Sequence, residues 1–181
     1  MRNLRYSVIA AIVVLVLGLL FGGQFIYTKY VLERPVVDAL NLPEVEKTEY
    51  LEKTETVVVK LKKVENLRET YLKIQDRLKA NQNTDNLRIQ ITDNRSPLLE
   101  AAWYQSQFAV HQAIMQGDFV SMHQTISDIA SEHELERHAV FIDSNRVYVA
   151  FYKDGNYLYE VIGREIPGKE ESAPQNGSEE L

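Results

Sequence analysis

The chain has no cysteine among its 181 residues. This absence excludes disulfide bonds, thiolate metal sites and a cysteine nucleophile together. It fits a cytosolic domain, and it fits equally an exported domain that folds without covalent cross-links. Cysteine content is therefore compatible with either compartment.

Several signatures of enzymes are also missing from the sequence. There is no GxxxxGK[ST] or GxGxxG loop to cradle a nucleotide, and no GxSxG nucleophile elbow. A serine triad needs a correctly placed base and acid, and no local spacing supports one. We therefore predict a non-enzymatic protein without catalytic residues or a cofactor.

Positive charge is in deficit, with 20 Lys and Arg residues against 26 Asp and Glu residues and a net charge of -6. A chain of this balance is not expected to bind nucleic acid. Residues 60–95 carry nine bases against five acids, and residues 96–166 carry ten acids against four bases. These segments could pair with each other or meet partners, although a solvated surface of mixed charge is the simpler interpretation.

One long uncharged run, VIAAIVVLVLGLLFGGQFIY, occupies residues 8–27. About 20 apolar residues suffice to cross a bilayer as a helix. A buried helix of a soluble protein is rarely so apolar on every face. The sequence therefore predicts a short N-terminal arm (residues 1–7) followed by a single-pass transmembrane helix (residues 8–28).

A cleaved signal peptide is the alternative interpretation of this run. Its apolar core usually spans ~7–15 residues and ends at a small-x-small cleavage site. A cut after Gly22 or Gly23 would place Leu20 or Phe21 where a small residue belongs. We therefore favour an uncleaved signal anchor.

The charges that flank the run give only a small orientation bias, because basic residues stand on both sides of it. The arm before it is short and has no folded segment to translocate. We predict a cell-membrane protein with the N-terminus inside and the C-terminal domain outside. Gly18 and Gly22 form a GxxxG pair that could let two anchors pack closely, so a homodimer is considered.

The segments on either side of the predicted domain are polar. Residues 29–53 are acidic and interrupted by Pro35 and Pro43, which indicates a membrane-proximal linker. The stretch EVEKTEYLEKTE, residues 44–55, overlaps the end of this linker and is interpreted as a short exposed helix. Residues 167–181, which contain no aromatic residue, are predicted to be a disordered acidic tail.

Residues 54–166 are predicted to form one small α+β domain with the order β-α-β-α-α-β-β-β. The run TVVVKL is β-branched, an amphipathic helix follows it, and LRIQI alternates in the manner of a strand. This spacing indicates a βαβ unit with parallel strands. The next segments are predicted to be a helix from Ser96-Pro97 to about Gln116, a Gly117-Asp118 break, a second helix, and strands near residues 139–143, 146–153 and 156–162.

The stretch SEHELERH superficially resembles the zinc-binding helix of a metalloprotease. An HExxH motif places its histidines four residues apart and therefore on one helix face. Here His133 and His138 are five residues apart, which turns them to about 140° from each other on a helix. Arg137 holds the position that the second ligand would need. The stretch is therefore not interpreted as a protease motif.

His111 and His123 stand equally far from Gly117. In an antiparallel helix pair they could face each other and supply two ligands to a metal. Histidines on amphipathic helices are more often partly buried or surface residues, so no metal site is predicted.

Tyrosines are concentrated in the last two predicted strands. Val147, Val149 and Phe151 form the more apolar face of one strand, which we expect to pack on the helices. Tyr148 and Tyr152 would then face solvent as a partner surface, since exposed tyrosines are effective interface anchors. Ordinary cross-strand pairing with one face buried remains the alternative.

The function predicted from these features is a membrane-anchored extracytoplasmic interaction or assembly module. Its predicted partners are the lipid bilayer, through residues 8–28, and another membrane or envelope protein. A sensor domain that binds a small ligand is the first alternative, and a hydrolase with an unrecognised site is the second. An exposed apolar patch would favour the first function, and a pocket with convergent polar groups would favour the others.

Overall fold

The computed structural model describes residues 3–27, 34–80 and 87–164. It is an α+β structure with two separate three-stranded sheets. The chain divides after Thr92 into two compact units, apart from residues 66–68, which belong to the second. The sequence predicted one domain over residues 54–166, whereas the described strands of that range divide between two sheets that each complete their strand pairing internally.

The predicted N-terminal helix is present as α1, Asn3–Tyr27. Its side chains are described for residues 8–23, and all of these are exposed. Among the described residues, no helix offers a stretch both long and apolar enough to cross a membrane.

Besides α1, the described part of the first unit holds two α-helices and a sheet of order β1-β2-β3. Strands β2 and β3 pair in parallel, which confirms the predicted βαβ connection through α3. Tyr71, Ile74 and Leu78 are buried along one face of α3, as their spacing predicts. The elements are α2 (Arg34–Ala39), β1 (Val45–Leu51), β2 (Thr56–Leu61), α3 (Leu67–Lys79) and β3 (Arg88–Thr92).

Strand β1 corrects the prediction of an exposed helix in this segment. Its glutamates and lysine favour a helix intrinsically, but the segment pairs antiparallel with β2 along its length. Lys60 Nζ lies 3.0 Å from Glu46 Oε1 across this pair. Edge pairing thus outweighs local propensity, and the predicted linker contributes a strand to the first sheet.

The second unit contains two helices followed by an antiparallel sheet of order β4-β5-β6. Ser96 caps the first helix by accepting a hydrogen bond from the Leu99 N–H, and Gly117 ends it with φ 78°. Asp118 caps the next helix through the Ser121 N–H. These ends confirm the predicted boundaries. The elements are α4 (Pro97–Gln116), α5 (Phe119–Glu132), β4 (Arg137–Ile142), β5 (Arg146–Lys153) and β6 (Asn156–Gly163).

Helices α4 and α5 share a buried core with one face of this sheet. Val147, Val149 and Phe151 of β5 all belong to that core, which confirms their predicted orientation. Trp103, the single tryptophan of the chain, packs against its edge. The predicted tail, residues 167–181, lies outside the described residues.

Candidate functional site

Tyr148 and Tyr152 are buried, with relative exposures of 0% and 1%. The prediction that they face solvent as a partner surface is therefore wrong. The Tyr152 ring lies 6.1 Å from that of Tyr159 and has the Arg137 guanidinium 5.4 Å from its centroid. Both faces of β5 are covered, so these aromatic rings have a packing role.

The Tyr148 hydroxyl lies at the β4–β5 turn, where the Asp143 carboxylate accepts several hydrogen bonds. It donates a 2.7 Å hydrogen bond to Asp143 Oδ2, while the Asn145 and Arg146 N–H groups each donate to Oδ1 at 2.8 Å. Burial opposes ionisation of Asp143, but these three donors and the positive charge of Arg68 outweigh it and hold its pKa below the ordinary value. Burial and the neighbouring carboxylate raise the pKa of Tyr148. The pair is a neutral phenol bound to a carboxylate, which fixes the β4–β5 turn.

The histidines of SEHELERH do not share a helix. Helix α5 ends at Glu132, His133 is its C-cap, and His138 lies in β4. His138 Nε2 is 3.1 Å from Ser127 Oγ, and its ring is 6.3 Å from that of His123. Burial, with a smaller contribution from His123, lowers the pKa of His138.

His123 therefore lies beside a strand histidine that sequence spacing did not indicate, while His111 is exposed on α4. Within residues 3–27, 34–80 and 87–164, no group of three or more histidine, aspartate or glutamate side chains is placed to hold a metal ion. Two imidazoles and a serine hydroxyl make a small polar contact between α5 and β4.

A second charged cluster joins the start of the second unit to β6. Arg95 binds Asp93 at 2.8 Å and Glu160 at 3.0 Å, and Asp93 also accepts the Tyr159 N–H at 2.8 Å. The Asp93 side chain is only 2% exposed. Burial raises the pKa of Glu160 although Arg95 opposes the shift. Because the Arg95 guanidinium pairs with both the Asp93 and the Glu160 carboxylates, the cluster has a structural role.

The outward face of α4 carries a row of uncharged side chains that we call the α4 seam. Tyr104 and Phe108 are 64% and 63% exposed, and their rings meet edge to face at 5.8 Å. Met115 is 66% exposed one further heptad along the helix. The seam is completed by exposed Ala101 and His111.

The seam lies in a part of α4 that lacks acidic residues, lysine and arginine. Residues 101–116, AAWYQSQFAVHQAIMQ, contain no Asp, Glu, Lys or Arg, and Glu100 is the only such residue in α4. Large apolar side chains grouped in this way on a folded surface typically mark a binding site for another macromolecule. Chemically, the seam can bury aromatic and thioether groups, with glutamines available as flanking hydrogen-bond partners.

The sequence contains a signal for the seam, because its members recur at steps of three and four. The same helix carries a second row at helical spacing that includes buried Leu99, Val110 and Ile114. The spacing of apolar residues predicts the buried row correctly. It does not show that the seam stays exposed, because α4 is apolar on two sides.

The described part of the first unit has an open cleft of ≈ 460 Å³. Four of its six lining residues are charged, and Lys73 Nζ lies 3.4 Å from Glu44 Oε1 and 3.0 Å from Glu69 Oε1. The cleft is formed by Leu42, Pro43, Glu44, Lys73, Asp76 and Arg77. It lacks the enclosed apolar walls of a typical small-ligand site.

Gly18 and Gly22 lie in α1, and a Cβ added at either would meet no atom within 4 Å. Their proposed packing between two anchors stays a prediction, because it concerns contacts with a second chain. No protein-family model, curated protein or solved structure matches this chain.

Proposed function

We propose that this chain is a single-pass, membrane-anchored interaction or assembly module that acts outside the cytoplasm and performs no catalysis. In this proposal, α1 is the anchor and the α4 seam is the docking surface. The observation that carries the proposal is the uncharged, aromatic and exposed seam on an otherwise acidic chain.

The proposed anchor draws support from the composition and exposure of α1. The support is the sequence of residues 8–27, an uncharged run with the ~20 residues that a helix needs to cross a bilayer, since the described residues alone contain no helix that is both long and apolar enough. Its exposed residues include Leu15, Leu19 and Phe21, at 62%, 68% and 72%. Such surface is unfavourable in water by roughly 25 cal/mol for each Å², so lipid is the environment that would stabilise it.

The proposed orientation places the N-terminus inside and both folded units outside. It rests on Arg2 and Arg5 preceding the uncharged run and on the shortness of the arm that carries them. Under this orientation, the seam would meet another membrane or envelope protein. The absence of cysteine is consistent with this location, because the fold does not depend on oxidation.

Alkaline carbonate extraction tests the anchor. The full chain should stay with the membrane pellet, whereas Leu15→Arg combined with Leu19→Arg should release most of it. Each arginine near mid-span costs about 2.5–3.5 kcal/mol of insertion free energy. The matched control is Leu15→Ala with Leu19→Ala, which should remain in the pellet.

Release of the unmodified chain by carbonate would contradict the anchor. For the unmodified chain in intact spheroplasts, added protease should remove epitopes of the second unit. Protection of those epitopes, with digestion after detergent treatment, would reverse the orientation.

A small-ligand sensor is the less supported function. The open cleft of the first unit is its best location, but Lys73 and Glu44 in that cleft already pair with each other. A ligand that used either charge would have to displace this ion pair in a cleft that is open to solvent.

A further inference from the structure

We propose that the partner received by the α4 seam is a second copy of this chain, whose α4 lies antiparallel against the first. This inference rests on the proposed function and specifies its partner. It follows from the spacing of the seam, from its lack of charge and from the confinement that a membrane anchor would impose.

The spacing of the seam matches that of a helix-pairing surface. Its residues follow one another at steps of three, four, three and four, which is the a/d repeat of helices that pack along their length. All five are exposed, and the opposite face of α4 is committed to the core of the second unit. The seam members are Ala101, Tyr104, Phe108, His111 and Met115.

Lack of charge in the seam removes the electrostatic obstacle to pairing with a second copy of this chain. In a two-fold symmetric contact, a charge near the axis meets a charge of its own sign. The chain carries a net charge of -6, so most of its surface would repel a second copy. Residues 101–116 have no formally charged Asp, Glu, Lys or Arg side chain and avoid this penalty.

The antiparallel arrangement follows from the order of side chains along the seam. When a positions of one helix oppose d positions of the other, Tyr104 faces Phe108 of the second copy, and Ala101 faces its His111. The symmetry axis then passes between Tyr104 and Phe108, close to the middle of α4. Four aromatic rings would meet at the centre, where interface residues contribute most to affinity.

Two heptads form a short contact that would associate weakly in dilute solution. Anchors in one membrane restrict both copies to the same plane and raise their effective concentration. Self-association through the seam therefore requires only modest intrinsic affinity.

Disulfide trapping tests the pairing, because the chain has no cysteine of its own. Gln105→Cys places one exposed thiol beside the seam, and Thr125→Cys places one on the exposed face of α5. After mild oxidation of the full chain in membranes, Gln105→Cys should give a dimer of twice 20.9 kDa. Thr125→Cys should stay monomeric.

Adding Phe108→Glu to Gln105→Cys should lower the dimer yield at least about tenfold, because two carboxylates would meet at the axis. Adding Gly18→Val and Gly22→Val should leave that yield unchanged. Circular dichroism of each variant should match that of the unsubstituted chain.

Three results would overturn self-pairing: equal trapping of the Gln105→Cys and Thr125→Cys variants, no dimer from Gln105→Cys, or dimer yield that survives Phe108→Glu. Seam-dependent trapping of a different membrane protein would also overturn it, while leaving the proposed interaction module intact. Release of the unmodified chain by carbonate contradicts the anchored function itself, so the two failures are distinguishable.

Discussion

Phe151→Ala is expected to lower the free energy of unfolding of the second unit by roughly 3–5 kcal/mol, whereas Phe108→Ala should change it by less than about 0.5 kcal/mol. Phe151 is fully buried in the core shared by α4, α5 and the sheet. Phe108 lies on the same unit and is 63% exposed. Comparing the same Phe→Ala substitution at these two positions therefore separates the loss of core packing from the loss of a surface contact.

Fluorescence of Trp103 provides the measurement, since it is the single tryptophan and packs against that core. Urea unfolding of the detergent-solubilised chain should move to a lower midpoint for Phe151→Ala alone. In the membrane, Phe108→Ala should be the variant that loses partner cross-links. Equal destabilisation by the two substitutions would show that the seam belongs to the core.

Asp143→Ala is expected to destabilise the second unit by roughly 2–4 kcal/mol. The substitution removes the carboxylate that accepts three hydrogen bonds, from the Tyr148 hydroxyl and from the N–H groups of Asn145 and Arg146. Asp128→Ala is the matched control, because that aspartate is exposed on α5 and accepts from Gln124. Urea unfolding followed by Trp103 fluorescence should detect a large shift for the first variant and a small one for the second.

The contribution of Asp143 to the free energy of unfolding should decrease at low pH. The folded pKa of Asp143 lies below its ordinary value of 3.8. Its ionised form therefore stabilises the fold above that value, and the contribution is lost as pH falls through the folded pKa. The stability difference between the unsubstituted chain and Asp143→Asn should be constant from pH 7 to about pH 5 and should narrow progressively below that. A gap that widened on acidification would contradict the assigned hydrogen bonds.

The elements that the sequence predicted well are those with local determinants. Ser96-Pro97 and Gly117-Asp118 carry their own capping chemistry, and the Lys153–Asn156 turn joins two strands as expected. Short-range hydrogen bonds and allowed backbone angles fix such features, so a few neighbouring residues suffice to recognise them.

The incorrect predictions concern features that depend on distant parts of the chain. Val45–Leu51 is a strand because β2 lies beside it, although its residues favour a helix. The sequence places Tyr148 in solvent because its face of β5 is the less apolar one. Its burial requires an acceptor for the hydroxyl, and Asp143 supplies one from the preceding turn.

Photo-crosslinking in native membranes tests most directly the claim that the α4 seam is the working surface. Benzoylphenylalanine would replace Phe108 in one full-length variant and Val120 in another. Val120 is 83% exposed and lies outside the seam, so random collisions should label it at least as readily. The account predicts a discrete protein adduct from position 108 and none from position 120. Adducts of equal yield at both positions, or none from position 108, would contradict it.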